Sequence, residues 1–142
     1  QEDFFTKRIR DVITQRGLEG AIIHLGCVSD NELHALYAHA RFFITCSYEE
    51  GFGLPPLEAQ QRGVPVIVPN WSVFPEILGN SALYIDPNNS KESLSTLHEL
   101  QTNSTLREVI VKRGFKRVER FRWDSMAQSI YSLYKTLYDI GN

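Results

Sequence analysis

A chain of 142 residues, 42% hydrophobic and 23% charged, has an ordinary globular composition, and one domain over 1–142 is expected to bury roughly 70% of its unfolded surface. The net charge of −2 offers no basic field of the kind that holds nucleic acid. No apolar run approaches the roughly 18 residues of a membrane span, and no signal peptide is visible, so the expected compartment is cytoplasmic.

In chain order, residues 3–16 set Phe5, Ile9, Val12 and Ile13 on one helical face, and Gly17 supplies a left-handed stop. The run AIIHLG at 21–26 reads as a strand buried on both faces. Ser29 and Glu32 form a capping box ahead of Leu33, Leu36, Tyr37 and Ala40 at helical spacing. RFFITCS at 41–47 reads as a second buried strand. Pro56 suits the first position of a short helix that Gly63 ends. VPVIVP at 64–69 and ALYID at 82–86 are two more strands, with a helical segment that Pro75 can start between them. Alternation of strand and helix predicts right-handed βαβ units, an α/β Rossmann-like parallel sheet with helices on both faces. Beyond Pro87 only helices are expected: 91–101 capped by Ser90, 105–120 opened by Thr105 and Glu108, and 125–139 capped by Asp124 with a stripe of Ile130, Leu133, Tyr134 and Leu137. Cys27 and Cys46 fit no metal-ligand spacing and read as buried reduced thiols. No metal motif is found.

The stretch YEEGFGLPPLE at 48–58 carries the chemistry. It follows a strand on the side where open parallel sheets bind ligands. Pro55 and Pro56 remove two amide donors, which leaves those of Gly51, Phe52, Gly53 and Leu54 in the loop and of Leu57 and Glu58 in the first helical turn. Gly51 and Gly53 permit positive φ and close approach of a ligand. A carboxylate beside an anion site is unfavourable for a bare phosphate and favourable for a ligand that also brings paired hydroxyls, because hydrogen bonds to an ionised acceptor are about twice as strong as neutral ones. Glu50 and Glu58 therefore suit two polyols at either end of a diphosphate, the description of a nucleotide sugar. Taken singly, Glu58 fits a residue complementing the helix dipole, Glu50 a solvated charge and Phe52 a core ring.

SYEEGFGLPPLEAQQRGVPVIVPNWSVFPEILGNSALYIDP resembles the donor-binding signature of retaining glycosyltransferases with two Rossmann-like domains, the GT-B group that includes bacterial mannosyltransferases. LGCVSDNELHALYAHAR and FRWDSMAQSIYSLYKTLY resemble the C-terminal domain of the same group, so the likeness covers nearly the whole chain. The resemblance implies that Glu50 faces the donor sugar as the catalytic residue, Glu58 the ribose, the amides of Gly51, Phe52, Gly53 and Leu54 the sugar and diphosphate, and the turn at Cys27 and Val28 the base. It favours GDP-mannose, with UDP- or ADP-sugars as alternatives, and a product in a cell-surface polysaccharide or glycolipid. It implies no cofactor and no metal. It also implies partners: a missing N-terminal acceptor domain, and two missing central strands, placed between the strands at 21–26 and 41–47, whose absence leaves sheet edges that either re-pair or join in a homodimer. No segment here resembles the part of the family that bears the arginine and lysine neutralising the leaving diphosphate, so the chain by itself is expected to be inactive. The alternative is a non-catalytic nucleotide-binding or assembly module of the same fold. The basic run from Arg107 to Arg122 reads as a solvated face, with peripheral contact at the inner face of an anionic membrane as the second reading.

Overall fold

The computed structural model describes residues 4–140. They group into two compact units, the first ending at Leu33 and the second beginning at His34. The outermost residues of the expected domain and Asp3, with which the first expected helix opens, lie outside the described residues.

In the first unit, helix α1 spans Phe4–Gln15, and Gly17 ends it at φ +63°. Of its apolar stripe only Ile13 is buried, while Phe5, Ile9 and Val12 stay exposed. The expected strand at 21–26 does not form, and Ile22, Ile23 and Leu25 are exposed. A β-strand is held by hydrogen bonds to a neighbour, and none of the three described strands pairs with this one. The capping box at Ser29 does form. The Ser29 amide donates to Glu32 Oε2 at 2.8 Å and the Glu32 amide to Ser29 Oγ at 3.4 Å, opening helix α2, Asp30–His39.

The second unit is built on three parallel strands, β1 (Phe43–Ile44), β2 (Val66–Pro69) and β3 (Leu83–Ile85), in that spatial order. Phe43 lies opposite Val66, and Ile67 opposite Leu83. Helix α3 (Leu54–Gln61) joins β1 to β2; α4 (Phe74–Leu78) and a 3-10 turn (Gly79–Ser81) join β2 to β3. All four residues of β2 are buried, so the central strand is covered on both faces, as an apolar run in a parallel sheet requires. Ile67 packs with Ile85 and with Leu100 of the following helix, α5 (Ser90–Thr102), flanked by Phe42, Leu83, Leu97 and Leu106.

The strands are shorter than their apolar runs. β1 keeps two residues of the expected seven and has a partner on one side only, so neither re-pairing with 21–26 nor a second strand closes that edge among the described residues. Both cysteines are free and exposed rather than buried, because Cys27 follows the strand that does not form and Cys46 lies past the end of β1.

Helices α6 (Ser104–Val118) and α7 (Trp123–Ile140) follow. Asn89 rather than Ser90 caps α5, accepting from the Glu92 amide at 3.2 Å, and Asn103 rather than Thr105 caps α6, accepting from Leu106 at 2.9 Å. Asp124 lies inside the first turn of α7 instead of preceding it. No residue of α7 is buried, and Ile130, Leu133, Tyr134 and Leu137 all remain exposed.

The basic run is not simply solvated. Arg107 Nη1 donates to the carbonyls of Leu100 and Gln101, both at 3.1 Å, and Arg113 Nη1 to Asn80 O at 3.3 Å. Arg117 donates to the carbonyls of Ile77 and Glu76. These arginines saturate carbonyls that helix ends leave without intrahelical donors. No helix among the described residues is long and apolar enough to cross a membrane.

Candidate functional site

Parallel strands send their C-terminal ends to one rim, where the loops after β1, β2 and β3 meet. After β1, Thr45 Oγ1 and Ser47 Oγ lie 3.1 Å apart, and the Ser47 carbonyl accepts from Trp71 Nε1 at 3.3 Å. Tyr48 stacks on Trp71, centroids 5.7 Å apart and planes 13° apart, and its hydroxyl donates to Asn88 Oδ1 at 3.0 Å. The loop from β1 is thus tied to the loops that follow both other strands. The Glu50 amide is spent on Ser72 Oγ at 3.1 Å. Ser72 has φ +58°, a left-handed conformation uncommon for a residue with a side chain and a mark of local constraint.

Glu50 is half-buried and Gly51 exposed. A side chain at Gly51 would meet nothing within 4 Å, so the loop is open there. Gly51 does not use the positive-φ region that its type permits. Gly53 does, at φ +82°, and an added Cβ would come within 3.3 Å of the Phe74 ring. Gly53 is the residue before the first turn of α3, which starts at Leu54, two positions earlier than Pro56. Pro55 and Pro56 then take the second and third positions, where the lost amides would have had no helical partner. The earlier start moves Glu58 out of the first turn to the fifth position, so its amide does not belong to the ligand-facing set. Phe52 is 43% exposed and meets Phe121 edge-on at 5.7 Å, a surface ring pair rather than a core ring. Leu54 is exposed.

Glu58 is half-buried and faces α2. Tyr37 Oη lies 3.4 Å from Glu58 Oε2 and 3.3 Å from the Pro55 carbonyl, while Arg62 Nη1 donates to the Glu58 carbonyl at 3.2 Å. The Arg62 guanidinium lies 5.3 Å from the Tyr37 ring centroid. Burial, and then the Glu58 carboxylate, hold the Tyr37 hydroxyl above the usual phenol range, so it is a neutral donor. Behind this face, Gln60 is buried and donates through Nε2 to Ser81 O and Ser81 Oγ, each at 2.8 Å, anchoring α3 to the 3-10 turn.

Glu50, Gly51, Phe52, Gly53, Leu54 and Glu58 follow β1 as one loop and the helix it enters. Cys27 and Val28 belong to the other compact unit, one exposed and the other half-buried. Ser72, Trp71 and Tyr37 escape a motif reading, because their partners lie 18 to 24 residues away in the chain. A concavity of 740 Å³ lies at the opposite rim, lined by Arg41, Pro65, Arg107, Lys112 and Phe115 among others. Among the described residues, no group of three His, Cys, Asp or Glu side chains is placed to hold a metal ion.

The family model described as glycosyl transferases group 1 matches residues 5–117. The chain is 41% identical over 127 residues to the O-antigen chain mannosyltransferase B of Escherichia coli, covering 88% of this chain and 33% of that one. It spans about a third of the length of that relative and of the O-antigen chain mannosyltransferase RfbU of Salmonella typhimurium. Its fold is similar to that of sucrose-phosphate synthase from Thermosynechococcus elongatus, with a TM-score of 0.84 at 22% identity over 95% of this chain and 35% of that one. It is likewise similar to Anabaena HepE, solved in complex with UDP and glucose, with a TM-score of 0.82 at 22% identity over 93% and 36% of the two chains.

Proposed function

Because the chain belongs to the glycosyl transferases of group 1, we propose that it is the part of a retaining hexosyltransferase that binds the nucleotide-sugar donor, with GDP-mannose favoured over UDP- or ADP-sugars. One observation carries the reading: the loop that follows the C-terminal end of β1, open at Gly51, runs straight into the helix that bears Glu58. Glu50 then faces the hydroxyls of the donor sugar at the reacting end, and the amides of Gly51, Phe52, Gly53 and Leu54 face the diphosphate. Glu58 accepts from the ribose, and Cys27 and Val28 line the base. The 41% identity to an O-antigen mannosyltransferase supports a mannosyl donor and a cell-surface polysaccharide as product. The bound UDP and glucose of Anabaena HepE support a nucleotide sugar as the ligand class.

The reading uses no metal. It takes an N-terminal acceptor domain as partner and the cytoplasm as compartment. The open edge of β1 is a place for a second copy, and Lys112, Lys116 and Arg120 for an anionic membrane face. Taken by itself the chain holds the donor without transferring the sugar, since no segment of it resembles the one bearing the cations that neutralise the leaving diphosphate.

Saturation-transfer NMR with GDP, UDP and ADP and their sugars tests the proposal. Signals from one nucleotide and its sugar, weakened in Glu58→Ala, are expected. Equal signals from wild type and variant remove Glu58 from the site, and no signal from any nucleotide overturns the reading.

A further inference from the structure

We propose that Tyr37 is the positioning residue that fixes the Glu58 carboxylate for the paired hydroxyls of a ribose, an inference that rests on the donor-binding reading above. Glu58 sits on α3, and among the described residues the side-chain hydroxyl donor set against its carboxylate comes from α2: Tyr37 Oη, 3.4 Å from Oε2. Tyr37 is itself well held. It is 7% exposed, its ring lies 6.2 Å from that of Phe43 on β1, and the Arg62 guanidinium covers it at 5.3 Å. The hydroxyl carries one proton, shared between Glu58 Oε2 and the Pro55 carbonyl at 3.3 Å, so it restrains Oε2 without itself occupying Oε1.

The neighbouring cation sharpens the argument. Arg62 spends Nη1 on the backbone carbonyl of Glu58, so the structure draws that guanidinium to the main chain and the Tyr37 ring. A carboxylate gripped on one oxygen by a single phenol hydroxyl keeps most of its acceptor capacity. It repels phosphate and welcomes a ligand that brings donors in pairs. An unrestrained glutamate side chain would lose its rotamer freedom only on binding, and the hydroxyl removes part of that cost beforehand.

The test separates a positioning role from a structural one by the ligand's own hydroxyls. Dissociation constants are measured by calorimetry for GDP and 2′,3′-dideoxy-GDP with wild type, Tyr37→Phe and Glu58→Gln. Wild type is expected to prefer GDP by about tenfold, the size of one well-made pair of hydrogen bonds. Tyr37→Phe keeps the ring and its packing; it is expected to cut the preference to about twofold while the affinity for the dideoxy ligand stays within a factor of about two. Glu58→Gln is expected to reduce the preference at least as far. An undiminished preference in Tyr37→Phe overturns the inference, as does an equal loss of affinity for both ligands. A wild type that binds both forms equally overturns it at its root, by removing the ribose from Glu58; if wild type binds neither guanine nucleotide, the same comparison is made with UDP and ADP and their dideoxy forms, and binding of none of them removes the donor-binding reading.

Discussion

At Gly53 a single added methyl group meets two obstacles at once. The residue has φ +82°, where an L side chain costs about 1–2 kcal/mol, and its Cβ would press on Phe74 at 3.3 Å. Gly53→Ala is expected to lower the unfolding free energy by about 2 kcal/mol in urea titration and to weaken nucleotide binding, whereas Gly51→Ala, with nothing within 4 Å, is expected to leave stability within about 0.5 kcal/mol. A second residue carries a pH dependence. Glu32 has its carboxyl held below the ordinary range by the Ser29 amide and then the Ser29 hydroxyl. A depressed carboxyl contributes its stability above the ordinary carboxylate range and loses it as pH falls through the lowered value. Ser29→Ala is expected to move the Glu32 titration upward, read from the side-chain carboxyl resonance. The glycines and glutamates of 50–58 are legible as a motif because their meaning lies in local spacing. Ser72 is not, because a serine has no local signature for positive φ; its conformation is set by the Glu50 backbone it clasps from 22 residues away.

Helix ends were legible to within one or two residues, and two of the misses share a cause. At 89–90 and again at 103–105 several capping residues stand in a row, and sequence spacing cannot choose among them; in both places the asparagine takes the role. Asn103 closes α5 and opens α6, so Asn103→Ala is expected to cost about 1 kcal/mol or slightly more, measured as a shift in urea midpoint at constant slope. Gly114 on α6 gives the opposite of the usual helix rule. Alanine normally gains up to about 1 kcal/mol over an interior glycine, but here its Cβ would lie 3.2 Å from Gln60 Cγ, on a side chain pinned to Ser81 by two hydrogen bonds. Gly114→Ala is therefore expected to destabilise, by about 1 kcal/mol, in thermal unfolding. The arginines of 107–117 read as a solvated face because their carbonyl partners lie in other elements, up to 41 residues away.

Burial is concentrated around β2. Leu100 is fully buried against Ile67 and Ile85, and Leu100→Ala is expected to cost about 2–5 kcal/mol in urea unfolding. The amides of β2 are expected to exchange most slowly with solvent, and those of 21–26 and α7 most quickly, since none of the residues of α7 is buried and the 21–26 run pairs with no described strand. Slow exchange through α7 would mean that its apolar stripe is covered in solution.

Period and punctuation in the sequence by themselves determined the α/β class, the parallel order of strand and helix, the capping box at Ser29 and the loop that joins Glu50 to Glu58, because each depends on residues within one turn or one strand of each other. Only tertiary structure decided that 21–26 forms no strand, that β1 shrinks to two residues, that Ser72 clasps the Glu50 backbone and that Tyr37 faces Glu58. A strand exists through its neighbours, and a side chain finds its partner across the fold; both are set by which distant segments are present to meet.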